Sequence, residues 1–310
     1  MTVAPLYFYT ELPHPDGLRP DMDPSCLQYA LTDDEREAFD RDGFLVVENA
    51  VPQDLRESLI ETIDDLYESG VLEGGRTDKT ITQRINKLGF VHLDRSFFDM
   101  VAYERLLPKV WGILGWNIYL YHTHLAVTGR EPGTYEPGAR AWGWHQDSGQ
   151  MNRDMETNPR PRISLKVGYF LTDVSNEGMG NFWVVPGSQL SNTLPEPGEG
   201  EVQPEGAIPV KVKAGTAVIF DRRIWHAATP NFSDVTRRVL FYGYGYRWIR
   251  TRDDMEFPQD WYDDSHAILR QMMGHSTNEF GRSSPSDADV PLKVWLEEHE
   301  QIQREKSLVG

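Results

Sequence analysis

Hydrophobic and polar residues change their period twice along the chain. Between Leu31 and Leu114 apolar residues recur at helical spacing. From Asn117 to Tyr244 they fall in short β-branched and aromatic runs, and beyond about Asp253 helical composition returns. Thr32, with Glu35 three residues on and acids in the first turn, predicts a capped helix that Asp42-Gly43 ends. Phe44-Leu45-Val46-Val47 predicts a short strand. Pro52 then opens a second helix, in which Leu55, Leu59, Ile63, Leu66 and Tyr67 share a face until Gly70. A polar segment runs from Gly74 to Lys87. A third helix is expected over Phe97 to Leu114, with Gly115 as its stop.

The middle of the chain predicts strands at Asn117–Val127, Ile163–Leu171, Asn181–Val185, Ile208–Val212, Thr216–Phe220 and Arg238–Tyr244. Gly, Pro and Asn clusters separate them, the pattern of an all-β sandwich or barrel. Helices are expected again over Ser265–Met273 and Pro291–Arg304. Residues 1–30, rich in Pro and Asp without a steady period, read as an irregular arm. The expected fold is mainly β with flanking helices (α+β). It is a single domain over 31–310, with a β core at about 117–250, helical support over 31–115 and a helical part over 253–310.

The formal net charge of −17 argues against nucleic acid or an anionic membrane as the main partner. Cys26 is the only cysteine, which excludes an intrachain disulfide and a cysteine-based zinc site. No apolar run is long enough to cross a membrane, and the start has no charged segment followed by an apolar one. A cytoplasmic location is expected.

The chemistry concentrates in Trp142-Gly143-Trp144-His145-Gln146-Asp147-Ser148-Gly149. Residues two apart on a strand point to one side, so His145 and Asp147 can reach one metal ion. An H-x-D triplet alone carries little, since the chain has three. His14-Pro15-Asp16 reads as a turn, and in His92-Leu93-Asp94 the aspartate or Ser96 suits a helix cap. His145 differs because it lies in the strand-rich half, where His226 at a strand end is a candidate third ligand; the alternative is that both are packed core histidines. Two histidines and a carboxylate on one face of an ion, with open positions opposite, is the arrangement of non-haem Fe(II) oxygenases. Eleven residues beyond His226 stand Arg237 and Arg238. A guanidinium there could hold the far carboxylate of a chelating oxo-acid, and strand alternation lets only one of the two point inward.

The set His145-x-Asp147, His226 and Arg237 resembles the phytanoyl-CoA dioxygenase family of Fe(II)/2-oxoglutarate-dependent oxygenases. Phe39-Asp40-Arg41-Asp42-Gly43-Phe44 is similar to that family's F-x-x-x-G-F/Y entry, and Gly180-Asn181-Phe182-Trp183-Val184-Val185-Pro186-Gly187-Ser188 to its G-x-L-x-x-x-P-G-S-H segment. The blocks keep order and approximate spacing over about residues 30 to 245. Two positions depart from the pattern: Ala228 replaces a hydroxyl residue two after the distal histidine, and Gln189 replaces a histidine. The resemblance implies a double-stranded β-helix, the jelly roll of cupins. It implies His145, Asp147 and His226 as Fe(II) ligands, Arg237 on the C5 carboxylate of 2-oxoglutarate, and His122 near the other end of that co-substrate. The activity implied is oxidation, chiefly hydroxylation, of an unactivated C–H bond by O2, with succinate and CO2 released. Asp147 sets the chain apart from halogenating relatives, which lack this carboxylate.

The substrate is expected to be a small molecule. His124 shares the strand face of His122, and Trp144 stands beside the metal motif with Trp142, Trp183 and Trp225 near the other ligands. These aromatics either wall the substrate or fill the core. Arg153 and Arg162, with Arg140 and Arg160, either form a cationic patch for an anionic substrate or pair with Asp154 and Glu156. Two rival readings remain: a cupin-like metalloprotein with isomerase or hydrolase activity, which would leave Arg237 without a role, and a non-catalytic binding protein of the same fold. The oligomeric state is left open.

Overall fold

The apolar runs in the middle of the chain pair into two sheets in the computed structural model, which describes residues 3–5, 22–72, 76–77, 80–81, 84–253 and 256–302. The strands that matter here are β1 (Phe44–Val47), β2 (Ile85–Leu88), β3 (Ile118–Thr128), β4 (Ser164–Phe170) and β5 (Phe182–Val184). They continue with β6 (Ile208–Val210), β7 (Thr216–Asp221), β8 (His226–Ala228) and β9 (Arg237–Tyr246). Six form one sheet in the order β1-β7-β4-β9-β3-β2, and three form another in the order β8-β5-β6. The pairings of β7 with β1 and β4, of β2 with β3, and of β5 with β8 and β6 are antiparallel. The architecture is thus α+β with antiparallel sheets, as the alternation of short apolar runs predicts.

The chain divides into two compact units, drawn from Met1–Leu31, Val91–His122 and Tyr244–Gly310 in one and from Thr32–Phe90 and Thr123–Gly243 in the other. They interleave along the chain, and two of the crossings fall inside β3 and β9. That is why composition marks no linker.

The unit drawn from Thr32–Phe90 and Thr123–Gly243 is organised by a core of Phe170, Phe182, Val184, Val210, Val218, Phe220, Val239 and Phe241, all buried. Each such side chain contributes about 1.5–3 kcal/mol by leaving water. Every residue of β4 is buried, because both of its faces are covered. Tyr169 meets Tyr242 edge-on, and Phe90 covers Tyr242 in turn. Lys166, Gly168 and Phe170 share the other face by the period of two.

The first helix, Asp33–Asp42, begins as its capping box requires, with Thr32 and Glu35 exchanging side-chain-to-backbone hydrogen bonds. It stops at Gly43, whose φ of 82° is left-handed and where a Cβ would collide with the Gln189 amide. Gln189 donates to the carbonyls of Asp40 and Arg41, and Asp221 N donates to Gly43 O. The residue that replaces the family's histidine therefore pins the entry of β1 against the end of β7.

In the other unit, the third expected helix is broken. Arg95–Asp99 is helical, a 3-10 turn covers Met100–Ala102, and Leu107–Leu114 is a separate helix. Pro108 lacks the N–H that a continuous helix would need and its ring would meet the carbonyl of residue 104, so the helix restarts around it. Asp94 caps the first piece through Ser96 N. The tail forms helices at Gln259–Asp263, Ala267–Met272 and Pro291–Glu298; the last stops before His299, and residues 303–304 of its expected span lie outside the described residues. Gln271 ties them together, donating to Trp116 O and Ile118 O while accepting from Leu292 N. Most of the expected N-terminal arm, His14 and Asp16 included, lies outside the described residues; Pro24–Tyr29 forms a 3-10 turn. Among the described residues no helix is long and apolar enough to cross a membrane.

Candidate metal centre

Backbone pairing brings the three expected ligands together. His145 N donates to His226 O and His226 N to His145 O, each at 3.0 Å, and Asp147 N donates to Arg222 O at 2.9 Å. The segment 145–147 is thereby laced onto 222–226. His145 and Asp147 point to one side, while the Gln146 side chain turns away and donates to Ser191 O and Arg223 O. After Asp147 the chain turns sharply at Ser148, at a φ of 74°, into the short helix Gly149–Asp154. Asn152 of that helix donates to Asp147 O at 2.6 Å, and Arg222 donates to Asn152 Oδ1 at 2.5 Å. Asn152 thus braces the main chain of Asp147.

One donor atom from each of His145, Asp147 and His226 lies within 4.8 Å of the others. His145 Nδ1 donates to Gly143 O at 2.8 Å and His226 Nδ1 to Ile224 O at 2.9 Å. A carbonyl can only accept, so each Nε2 carries the lone pair a metal needs. Burial pushes His226 down to about 4, against the pull of Asp147, which keeps the imidazole neutral near pH 7. Burial alone would raise the Asp147 carboxyl, but the Lys166 ammonium and both imidazoles hold it far below the usual range. Lys166 Nζ lies 2.9 Å from Asp147 Oδ2, while Oδ1 faces His226 Nε2 at 3.9 Å. Two imidazoles and one carboxylate, without a thiolate, fit Fe(II).

Of the two neighbouring arginines, Arg237 points inward and is buried, with its guanidinium 5.4 Å over the Phe170 ring. Its Nε has no hydrogen-bond partner, and it forms no ion pair with a described carboxylate. Burial and the nearby charge of Arg84 push it down to about 9, which marks a place where positive charge is uncompensated. Such a site fits a carboxylate. Arg238 faces the other way and holds Asp64 through a fork at 2.7–3.0 Å.

The other residues singled out in the sequence have partners of their own. His124 stacks on Phe241 at 5.4 Å and meets Asn86 Oδ1. His122 lies in the other compact unit, where both oxygens of Asp253 face its Nδ1 at 2.9 Å. Trp144 packs with Trp142, Trp183 and Ala227, and its Nε1 donates to Gln203. Ala227 and Trp183 pair across the strands, one residue out of phase with His226 and Val184, so this cluster backs the opposite face of the small sheet from His226. Arg162 reaches Asp40 and Asp221, and Arg160 holds Asn152 O and the Gln146 amide. Neither pairs with Asp154 or Glu156. Arg153 is exposed and reaches Gln150. Sequence reasoning missed Lys166 and Arg84. The signal for Lys166 was present, a lone cation in the middle of the otherwise buried run ISLKVGYFL.

A jelly-roll core carrying this donor set and an inward arginine defines a non-haem Fe(II)- and 2-oxoglutarate-dependent dioxygenase. The chain belongs to the phytanoyl-CoA dioxygenase family, whose family model matches residues 39–239. It is 26% identical over 232 residues to the ectoine dioxygenase of Nocardia farcinica, covering 66% of this chain and 74% of that one. In fold it is similar to SnoK, a non-haem α-ketoglutarate-dependent carbocyclase from nogalamycin biosynthesis. That match has a TM-score of 0.53 and 16% identity, over 70% of this chain and 85% of SnoK. SnoN, an epimerase from the same biosynthesis, matches with a TM-score of 0.51 and 17% identity, over 73% of this chain and 82% of SnoN.

Proposed function

We propose that His145, Asp147 and His226 hold the Fe(II), that Arg237 holds the C5 carboxylate of 2-oxoglutarate, and that the enzyme hydroxylates an unactivated C–H bond of a small molecule. The observation that carries this reading is the convergence of three donor atoms within 4.8 Å, Asp147 among them. The bound metal with 2-oxoglutarate supplies O2 activation, with succinate and CO2 released. The chain supplies the geometry. The backbone lacing of 145–147 to 222–226 sets the ligand spacing. Phe182 and Phe220, each 5.3 Å from the His226 ring, keep water from that ligand. Arg237 would hold the far carboxylate of the co-substrate and so restrict its orientation. Arg153, on the helix that follows Asp147, is the guanidinium we propose for a negatively charged substrate group.

The test begins without a substrate. Fe(II) and then 2-oxoglutarate are added anaerobically, and a weak lilac charge-transfer band is expected in the visible spectrum. Iron binding without the band would favour the non-oxidative cupin reading; no metal binding would favour a binding protein. Substrates are then screened by succinate release, and the product is weighed. Hydroxylation adds one oxygen atom, cyclisation removes two hydrogens and epimerisation leaves the mass unchanged, so the neighbours' outcomes separate cleanly.

A further inference from the structure

We infer that Lys166 is a positioning residue that sets the charge of the metal centre, dividing the two oxygens of Asp147 so that Oδ1 serves the metal and Oδ2 serves the lysine. The inference rests on the reading of His145, Asp147 and His226 as the metal ligands. Both partners are more than nine-tenths buried, and Nζ lies 2.9 Å from Oδ2. The oxygen facing His226 is the other one, at 3.9 Å from Nε2. The strand register puts Lys166 on the ligands' side. Lys166 pairs across β4 and β7 with Phe220, and cross-strand partners share a face. Phe220 packs on the His226 ring, so Lys166 emerges on the ligands' side of the sheet.

Two consequences follow. A carboxylate whose second oxygen is held by an ammonium would offer a bound metal one oxygen only. The lysine also cancels the one negative charge in the protein's donor set. A donor set without net charge binds a dication less tightly but leaves the bound metal more positive, which favours a dianionic co-substrate. Further along the same face of β4, Phe170 lies under Arg237. One strand face therefore carries a residue for the metal carboxylate and a platform for the cation at the co-substrate's far end.

The charge argument predicts opposite effects on the two ligands, which a merely structural role would not give. Mn(II) affinity is read from the free-ion EPR signal, and 2-oxoglutarate affinity by calorimetry on the Mn(II)-loaded protein. Lys166→Met, which keeps the length but not the charge, is expected to bind Mn(II) about threefold tighter or more and 2-oxoglutarate about tenfold weaker. Lys166→Arg should stay near the native protein in both. If Lys166→Met does not fold, Lys166→Gln, a neutral donor, takes its place with the same expectation. Both affinities falling together, or neither changing, would overturn the inference while leaving the ligand assignment intact. A native protein that binds no Mn(II) would overturn the assignment and the inference with it.

Discussion

His145 and His226 exchange two backbone hydrogen bonds at 3.0 Å and hold their rings 4.3 Å apart, although 81 residues separate them in sequence. The pair extends β8 by one bridge beyond the small sheet. It fixes the two main-chain positions, and the bonds from each Nδ1 to Gly143 O and Ile224 O orient the rings. Asp147 follows two residues later on the same side, laced to Arg222.

A preformed site of this kind predicts that ligand substitutions remove function without unfolding the protein. His145→Ala, Asp147→Ala and His226→Ala should each abolish the lilac band and 2-oxoglutarate-dependent succinate formation. His145→Ala, at the exposed end, should leave thermal unfolding nearly unchanged. A large loss of stability in His145→Ala would show that the ring also packs as core.

The two neighbouring arginines should behave oppositely. Removing a buried cation that pairs with a ligand carboxylate costs about 2–5 kcal/mol, so Arg237→Ala should raise the dissociation constant for 2-oxoglutarate by at least about thirtyfold. Arg238→Ala loses a partly exposed fork on Asp64. It should cost about 1 kcal/mol of stability and leave 2-oxoglutarate binding unchanged. Anaerobic titrations of both variants decide it, and the reverse pattern would refute the assignment.

These outcomes depend on features that differ in how far the sequence reveals them. The capping box at Thr32 and Glu35, the stop at Gly43 and the H-x-D pair are local, and local chemistry is legible. The choice between Arg237 and Arg238 is not, because alternation gives parity only once one register is known. Pro108 marks the break in the helix expected over 97–114, a signal that the apolar spacing of that segment outweighed. Arg162 looked available for substrate because its partners, Asp40 and Asp221, lie far from it in the chain. Trp144 looked like a wall of the site because it adjoins His145, yet adjacency on a strand means opposite faces. Two of the crossings between the compact units run through β3 and β9, where nothing in composition changes.

Gly168 offers a test of the packing between the metal end and Arg237. A Cβ there would lie 2.7 Å from the Phe241 ring. Phe241 is held in turn by His124 at 5.4 Å and by Phe220 at 6.3 Å. Overpacking of this kind costs about 1–3 kcal/mol, so Gly168→Ala should lower the melting temperature and weaken the lilac band through displaced Phe220. An unchanged melting temperature would mean that Phe241 has room to move.

Asp289 predicts how the compact unit that holds the tail helices responds to acid. Its Oδ1 accepts from Thr277 N and Thr277 Oγ1 at 2.7 Å each, and its Oδ2 from Ser286 N and Ser286 Oγ at 2.9 and 2.7 Å. Burial opposes the charge, but these donors outweigh it and bring the carboxyl down to about 2. A carboxyl lowered in the folded state binds its proton more readily when unfolded. Its stabilisation is therefore complete above the unfolded value of about 4 and is lost as the pH falls through about 2. Asp289→Asn should cost about 2 kcal/mol near neutral pH, because the Ser286 and Thr277 donors lose a charged acceptor. The gap in melting temperature between native and variant should then narrow steadily from about pH 4 downward. A gap that stayed constant to pH 2 would show that the carboxylate's charge contributes nothing and that only its shape is needed.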